Sequence, residues 1–116
     1  MSFEEMSEEE ILAIANPLMD NLMAASTEID HARHVRDFTA RLKDIVTKEY
    51  LQKVCEQSQA DKGYFSEREP VAVFRRPDSA AIVWKQSFTR AQGEFVAEKV
   101  LLNESGKYLV DHVMIF

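Results

Sequence analysis

The stretch "AAIVWKQSFTRAQGEFVAEKVLLNESGKYLVDHVMIF", residues 80–116, decides the fold. Apolar residues recur in it with the period of two expected of strands, over 80–90, 94–102 and 107–116. Two short polar links interrupt the pattern, Ala91-Gln92-Gly93 and Asn103-Glu104-Ser105-Gly106. Links this short join neighbouring antiparallel strands, so the segment predicts a meander. Gly106 supplies the positive φ that such a turn requires. A further run, "PVAVF" (70–74), closed by Arg76-Pro77-Asp78-Ser79, adds a strand ahead of these three.

Upstream of Gly63 the apolar spacing is helical. "SEEE" is a capping box: the Ser7 hydroxyl accepts from the amide of Glu10, and the Glu10 carboxylate reaches back to Ser7. Ile11, Ala15, Leu18 and Leu22 continue as an apolar stripe. Pro17 lies inside this run, which predicts either a kink or a restart there. A second helix is expected to start near Thr27 or Asp30 and to bury Val35, Phe38, Leu42 and Ile45. Thr47 caps a third, with Tyr50, Leu51, Val54 and Cys55 on its apolar side and Gly63 as its stop. The expectation is a single α+β domain over 1–116, with three N-terminal helices (about 7–63) packed on a curved four-stranded antiparallel sheet (about 68–116). Ile82, Val83 and Trp84 are consecutive, so both sheet faces are apolar. One covers the helices and the other predicts a homodimer through the outer face.

A net charge of −6 opposes phosphate-backbone binding, so no nucleic-acid partner is expected. The acidic start "MSFEEMSEEE" lacks the basic residues and apolar run of a secretory signal. With one cysteine, Cys55, and no run long enough to span a bilayer, the sequence predicts a cytoplasmic protein without a membrane partner.

Three features together carry a resemblance: the helix pair "HVRDFTARLKDIVTKEYLQKV", the long hairpin "AAIVWKQSF…GEFVAEKVLL", and the closing "SGKYLVDHVMIF". The chain resembles the nuclear transport factor two-like superfamily, with its cystatin-like or SnoaL-like cone folds, and is similar to small bacterial members of unknown function. The resemblance covers nearly the whole chain. It implies a conical pocket between sheet and helices, and dimerisation through the outer sheet face. The superfamily includes isomerases, dehydratases, cyclases, transport factors and non-catalytic binding modules, so the resemblance leaves function open.

Pairing Asn103 with Lys107 across the last turn sets Leu101 opposite Leu109, Lys99 opposite Asp111 and Glu98 opposite His112. A tight turn between Arg90 and Gly93 adds Lys85 opposite Glu98. A histidine beside a carboxylate in an apolar cone can act as a general base, which makes His112, Asp111 and Glu98 the candidate catalytic residues. The competing reading is plain cross-strand charge pairing, at about 0.2–1 kcal/mol per pair. Trp84, Lys85, Tyr50 and Met114 are the candidate ligand contacts. "DHARH" (30–34) places His31 and His34 on what is expected to be an exposed helix face, too sparse in ligands for a metal site. Cys55 is expected to be a buried structural thiol. No cofactor is expected. The leading expectation is a non-catalytic domain with an apolar cavity for a small apolar molecule. The alternative is a small proton-transfer enzyme of isomerase or dehydratase type using His112 or Asp111.

Overall fold

A computed structural model describes residues 2–116. A 3-10 turn at Phe3–Glu5 precedes α1 (Glu8–Glu28), α2 (His31–His34), α3 (Ala40–Ile45) and α4 (Lys48–Lys62). The strands follow as β1 (Phe65–Arg75), β2 (Ser79–Phe88), β3 (Phe95–Glu104) and β4 (Lys107–Ile115). They form one sheet in the order β1-β2-β3-β4, with every neighbouring pair antiparallel. The architecture is helices first, then a four-stranded antiparallel meander, as the period change at Gly63 predicts.

The capping box forms in full. Ser7 Oγ accepts from the Glu10 amide at 3.1 Å, and the Ser7 amide donates to Glu10 Oε1 at 3.0 Å. The helix it starts runs unbroken through Pro17, where the sequence predicts a kink or restart. Pro17 and Ala13, whose carbonyl loses its helical donor, both lie on the exposed side, so water can serve that carbonyl. The buried side of α1 carries Ile11, Ala15, Met19, Leu22 and Met23 onto the sheet. Ile29 then takes a left-handed conformation (φ 53°), uncommon for a β-branched residue, and turns the chain back into α2.

The predicted second helix is two short ones. Asp30 caps α2 and Thr39 caps α3, and between them Phe38 is extended and bridges Val110 of β4 in parallel. The Val110 amide donates to the Asp37 carbonyl at 2.8 Å, and the Thr39 amide donates to the Val110 carbonyl at 2.9 Å. The edge of β4 thus takes backbone groups that a continuous helix would have used internally. Phe38 and Leu42 remain buried, but Ile45 rotates outward and is 53% exposed, contrary to the predicted buried stripe.

The inner face of β2 follows strict alternation: Ala80, Ile82, Trp84, Gln86 and Phe88 are buried. The β3–β4 turn contains only Ser105 and Gly106 (φ 53° and 84°), with Glu104 opposite Lys107. Asn103 Oδ1 accepts from the Gly106 amide at 2.9 Å. The turn is therefore one residue tighter than the expected Asn103–Lys107 pairing. A bulge between Val110 and His112 leaves Asp111 without an opposite residue and shifts the register once more. Irregularities in β1 between Phe65 and Arg68 and between Pro70 and Ala72 bend the other edge.

Gly63 joins the layers at the far end. It stops α4 with φ 82° and ψ −139°, a conformation open essentially to glycine. A β carbon there would collide with Thr89 Oγ1 and lie 3.1 Å from Arg90 Nε. Gly63→Ala is expected to lower stability by about 1–3 kcal/mol or more from the backbone alone. Urea denaturation measures this, and an unchanged midpoint would show that the junction relaxes without cost.

Candidate functional site

A cavity of about 520 Å³ opens between the helical layer and the β4 side of the sheet. Its walls are apolar: Leu42, Leu51, Phe65, Phe88, Val113 and Ile115 face it. This size falls within the range of small-molecule sites. Tyr50, Val54 and Ile45, three of the large exposed apolar side chains, stand around it with Met114. They are the residues that a continuous second helix and a fully packed α4 would have buried.

Polar residues also line the cavity, among them the buried His34, Cys55 and Ser26. His34 is 7% exposed, packs edge-on against Phe38 with ring centroids 5.3 Å apart, and its buried Nδ1 has no hydrogen-bond partner among the described residues. Burial, followed by the nearby charges of His31 and Lys99, pushes its pKa down to about 4, so the ring is neutral at pH 7. Cys55 and Ser26 face the same space, and burial pushes the Cys55 thiol up despite a hydrogen bond from Ser26. A thiol raised in this way is a weak nucleophile. His31, expected beside His34 on an exposed face, instead places Nε2 2.8 Å from the Val46 carbonyl. His34 is buried rather than exposed, because α2 is only one turn long and Ile29 swings it under α1. Among the described residues no group of three or more His, Cys, Asp or Glu side chains is arranged to hold a metal.

Lys99 lies on the inward face of β3 between Ala97 and Leu101, opposite Ile82 and Val113. It is fully buried and its Nζ lacks a hydrogen-bond partner among the described residues. Burial, and secondarily the Arg68 guanidinium, push its pKa down to about 7 against the pull of Asp37 and Asp20. Those carboxylates are engaged elsewhere: Arg68 Nη2 donates to Asp20 at 2.6 Å and Arg36 Nη2 to Asp37 at 3.0 Å.

The candidate catalytic residues partly meet. His112 Nε2 lies 2.7 Å from Glu98 Oε2. The contact is diagonal, since Glu98 is opposite Met114 and His112 is opposite Val100. The tighter turn and the bulge each shift the register by one; the two add, so both side chains remain on one face, the outer one. Lys99 is opposite Val113 rather than Asp111. Asp111 accepts from Thr39 Oγ1 at 2.9 Å and from Arg41 Nε at 3.1 Å, while Arg41 also donates to the Asp111 carbonyl. Partial burial disfavours its charged form, but these donors outweigh that and hold the carboxyl below its ordinary value. Asp111 therefore pins α3 to the bulge. Val83, not Lys85, is opposite Glu98, because the β2–β3 connection is longer than the predicted tight turn. Lys85 Nζ instead lies 3.8 Å from both Glu69 and Glu94.

Of the expected ligand contacts, Tyr50 and Met114 border the cavity, as does His112 at the β4 rim. Trp84 and Lys85 do not. Trp84 is buried against α1, donating from Nε1 to Asn16 Oδ1 at 3.0 Å, with the Arg68 guanidinium 5.4 Å from its ring centroid. Sequence reasoning missed His34 and Lys99. Lys99 did leave a signal, since it shares the inward alternation of Ala97 and Leu101. His34 left none, because its burial depends on where the helix breaks.

This arrangement, a bent meander roofed by helices around a hollow, is similar to known structures. An NTF-2-like protein of unknown function from Silicibacter pomeroyi superposes with a TM-score of 0.62 at 14% identity, over 96% of this chain and 98% of that one. The chain has the nuclear transport factor two-like fold. A SEC-C motif containing protein from Rhodopseudomonas palustris shares this fold at a TM-score of 0.60 and 14% identity, over 84% of this chain and 74% of that one. A putative calcium/calmodulin-dependent protein kinase type II association domain from Thiobacillus denitrificans matches at 0.59 and 12%, over 84% and 90%. No family model matches the chain, and no curated protein matches it in sequence. Identities this low establish a nuclear transport factor two-like architecture and carry no activity with it.

Both buried basic groups should leave a signature in stability. Lys99 binds a proton up to about pH 10.5 in the unfolded chain but only to about 7 in the native state. Between these values the unfolded state holds more protons, so stability rises with pH across that window and the penalty is full below it. Lys99→Met is expected to remove this rise and to stabilise the protein at pH 7 by on the order of a few kcal/mol, at about 1.4 kcal/mol per pKa unit. By the same reasoning, neutral burial of His34 makes stability fall as pH drops from 6.5 to about 4. Chemical denaturation of both proteins from pH 4 to 10 tests this, and a destabilised Lys99→Met at pH 7 would contradict it.

Proposed function

We propose that this is a non-catalytic domain that binds a small apolar molecule in the cavity and pairs with a second copy through the outer sheet face. The observation that carries the reading is the 520 Å³ apolar-walled hollow with His34 unpartnered on its lining. A closed core would need larger side chains at these positions, since protein interiors otherwise pack without voids larger than a water molecule. Pairing of copies is supported by the outer face, where Phe74, Met114 and Phe116 are each more than half exposed. Val83, Val96 and Val100 lie between them across the sheet. Apolar side chains exposed on one sheet face in this way favour a self-complementary contact.

A second reading, a proton-transfer enzyme, is supported by the close His112–Glu98 contact at the cavity rim. It is weakened by Asp111, whose carboxylate is committed to Thr39 and Arg41. Glu98 and His112 also lie on the outer face, beside the proposed contact between copies.

A thermal-shift screen across a broad metabolite panel tests the leading reading, because a ligand of the native state raises the melting temperature by mass action. Apolar small molecules are expected to raise it, and His112→Gln is expected to leave those shifts in place. A panel without shifts would remove the cavity reading. Loss of binding and of turnover together in His112→Gln would favour the enzyme. For the outer face, sedimentation equilibrium is expected to give twice the monomer mass, with Phe74→Glu combined with Met114→Glu reducing it to a monomer. A monomeric wild type would overturn the pairing.

A further inference from the structure

We infer that the cavity selects an apolar carboxylate, an acid with a hydrocarbon body, its head group accepting a hydrogen bond from His34 and held by the positive charge of Lys99 behind it. This deepens the proposed cavity reading and rests on it. The geometry supplies three supports.

The first is the pair of unsatisfied donors. The buried Nδ1 of His34 has no hydrogen-bond partner among the described residues, and His34 lines the cavity. Lys99 lies on the inner sheet face opposite Val113, which lines the cavity, and its Nζ also lacks a partner among the described residues. A buried polar group without a partner is costly, and a buried cation more so. An anion entering beside His34 offsets that cost for both groups at once.

The second is the charge balance. The whole chain carries −6, yet among the described residues Asp61 is the one carboxylate on the cavity lining, against the cations Lys62 and Arg41, the latter paired with Asp111. Asp61 is an exposed residue at the end of α4. The two acids nearest Lys99, Asp20 and Asp37, are each bound by an arginine. No free carboxylate among the described residues competes for the inner end.

The third is shape. The walls formed by Leu42, Leu51, Phe65, Phe88, Val113 and Ile115 are hydrocarbon, and the volume holds roughly fifteen heavy atoms at the ~30 Å³ that a water molecule occupies in the liquid. A medium-chain or single-ring acid meets both limits. A sugar phosphate would place its hydroxyls against Leu51, Phe65 and Ile115 unpaired.

The experiment uses decanoate, decanol and decylamine as matched probes, with affinities from calorimetry and the site located by side-chain NMR of His34. Decanoate is expected to bind at least about tenfold more tightly than decanol, to bind far more tightly than decylamine, and to shift the His34 ring resonances. Lys99→Met, which removes a buried charge and should fold, is expected to weaken decanoate by about tenfold or more while leaving decanol unchanged. Equal binding of acid and alcohol overturns the carboxylate inference and leaves the cavity reading intact. Binding by none of the probes overturns both. Decanoate binding that leaves His34 unshifted, or that survives in Lys99→Met, overturns the assignment of these two residues.

Discussion

Two backbone hydrogen bonds at Val110 tie the helical layer to the sheet, and the site depends on them. Asp37 and Thr39 pair with the outer edge of β4 at that residue. The chain must be extended there, so no helix can run from Asp30 to Ile45. The break places His34 inward and Ile45 outward. It also sets Thr39 and Arg41 beside Asp111, where they hold the bulge that displaces the rest of β4 by one residue. Beyond the tie the β4 edge is not covered by a further strand, and the cavity opens along it between His112 and Ile115.

The interior combines two kinds of packing. Towards α1, Trp84, Met19, Ile82 and Ile11 fill the space fully. On the α4 side the hollow remains, with the unpartnered Nδ1 of His34 on its lining. His34 and Lys99 are maintained at a cost that the packed part must offset. A core selected for stability alone would carry leucine or methionine at position 99, as replacements of buried ions by apolar residues generally indicate. The proposed binding function would account for the retained charge, because a ligand would satisfy in the complex what the free protein leaves unpaired.

The helix caps, the stop at Gly63 and the period of two after residue 80 are local properties, set by residues within a few positions of one another. They appeared where expected: Ser7, Asp30 and Thr47 all cap helices. The His112–Glu98 contact was also legible, although through a register displaced by two. A face is a parity, and an even displacement preserves it. Lys85 was misassigned because the length of the β2–β3 connection is not encoded by a single turn residue. The outward turn of Ile45 was not legible at all, since it follows from a competition between helix and sheet edge for the same backbone groups.

Sequence alone determined the order and type of the elements, the antiparallel meander and the inward alternation that places Lys99 with Ala97 and Leu101. Local sterics, capping and periodicity suffice for these. Tertiary structure alone decided that His34 is inside, that Asp111 anchors a bulge and that a hollow remains beside α4. Each of those depends on hydrogen bonds between residues about seventy positions apart, such as Thr39 with Val110 and Asp111, whose partners become neighbours only once the sheet has formed.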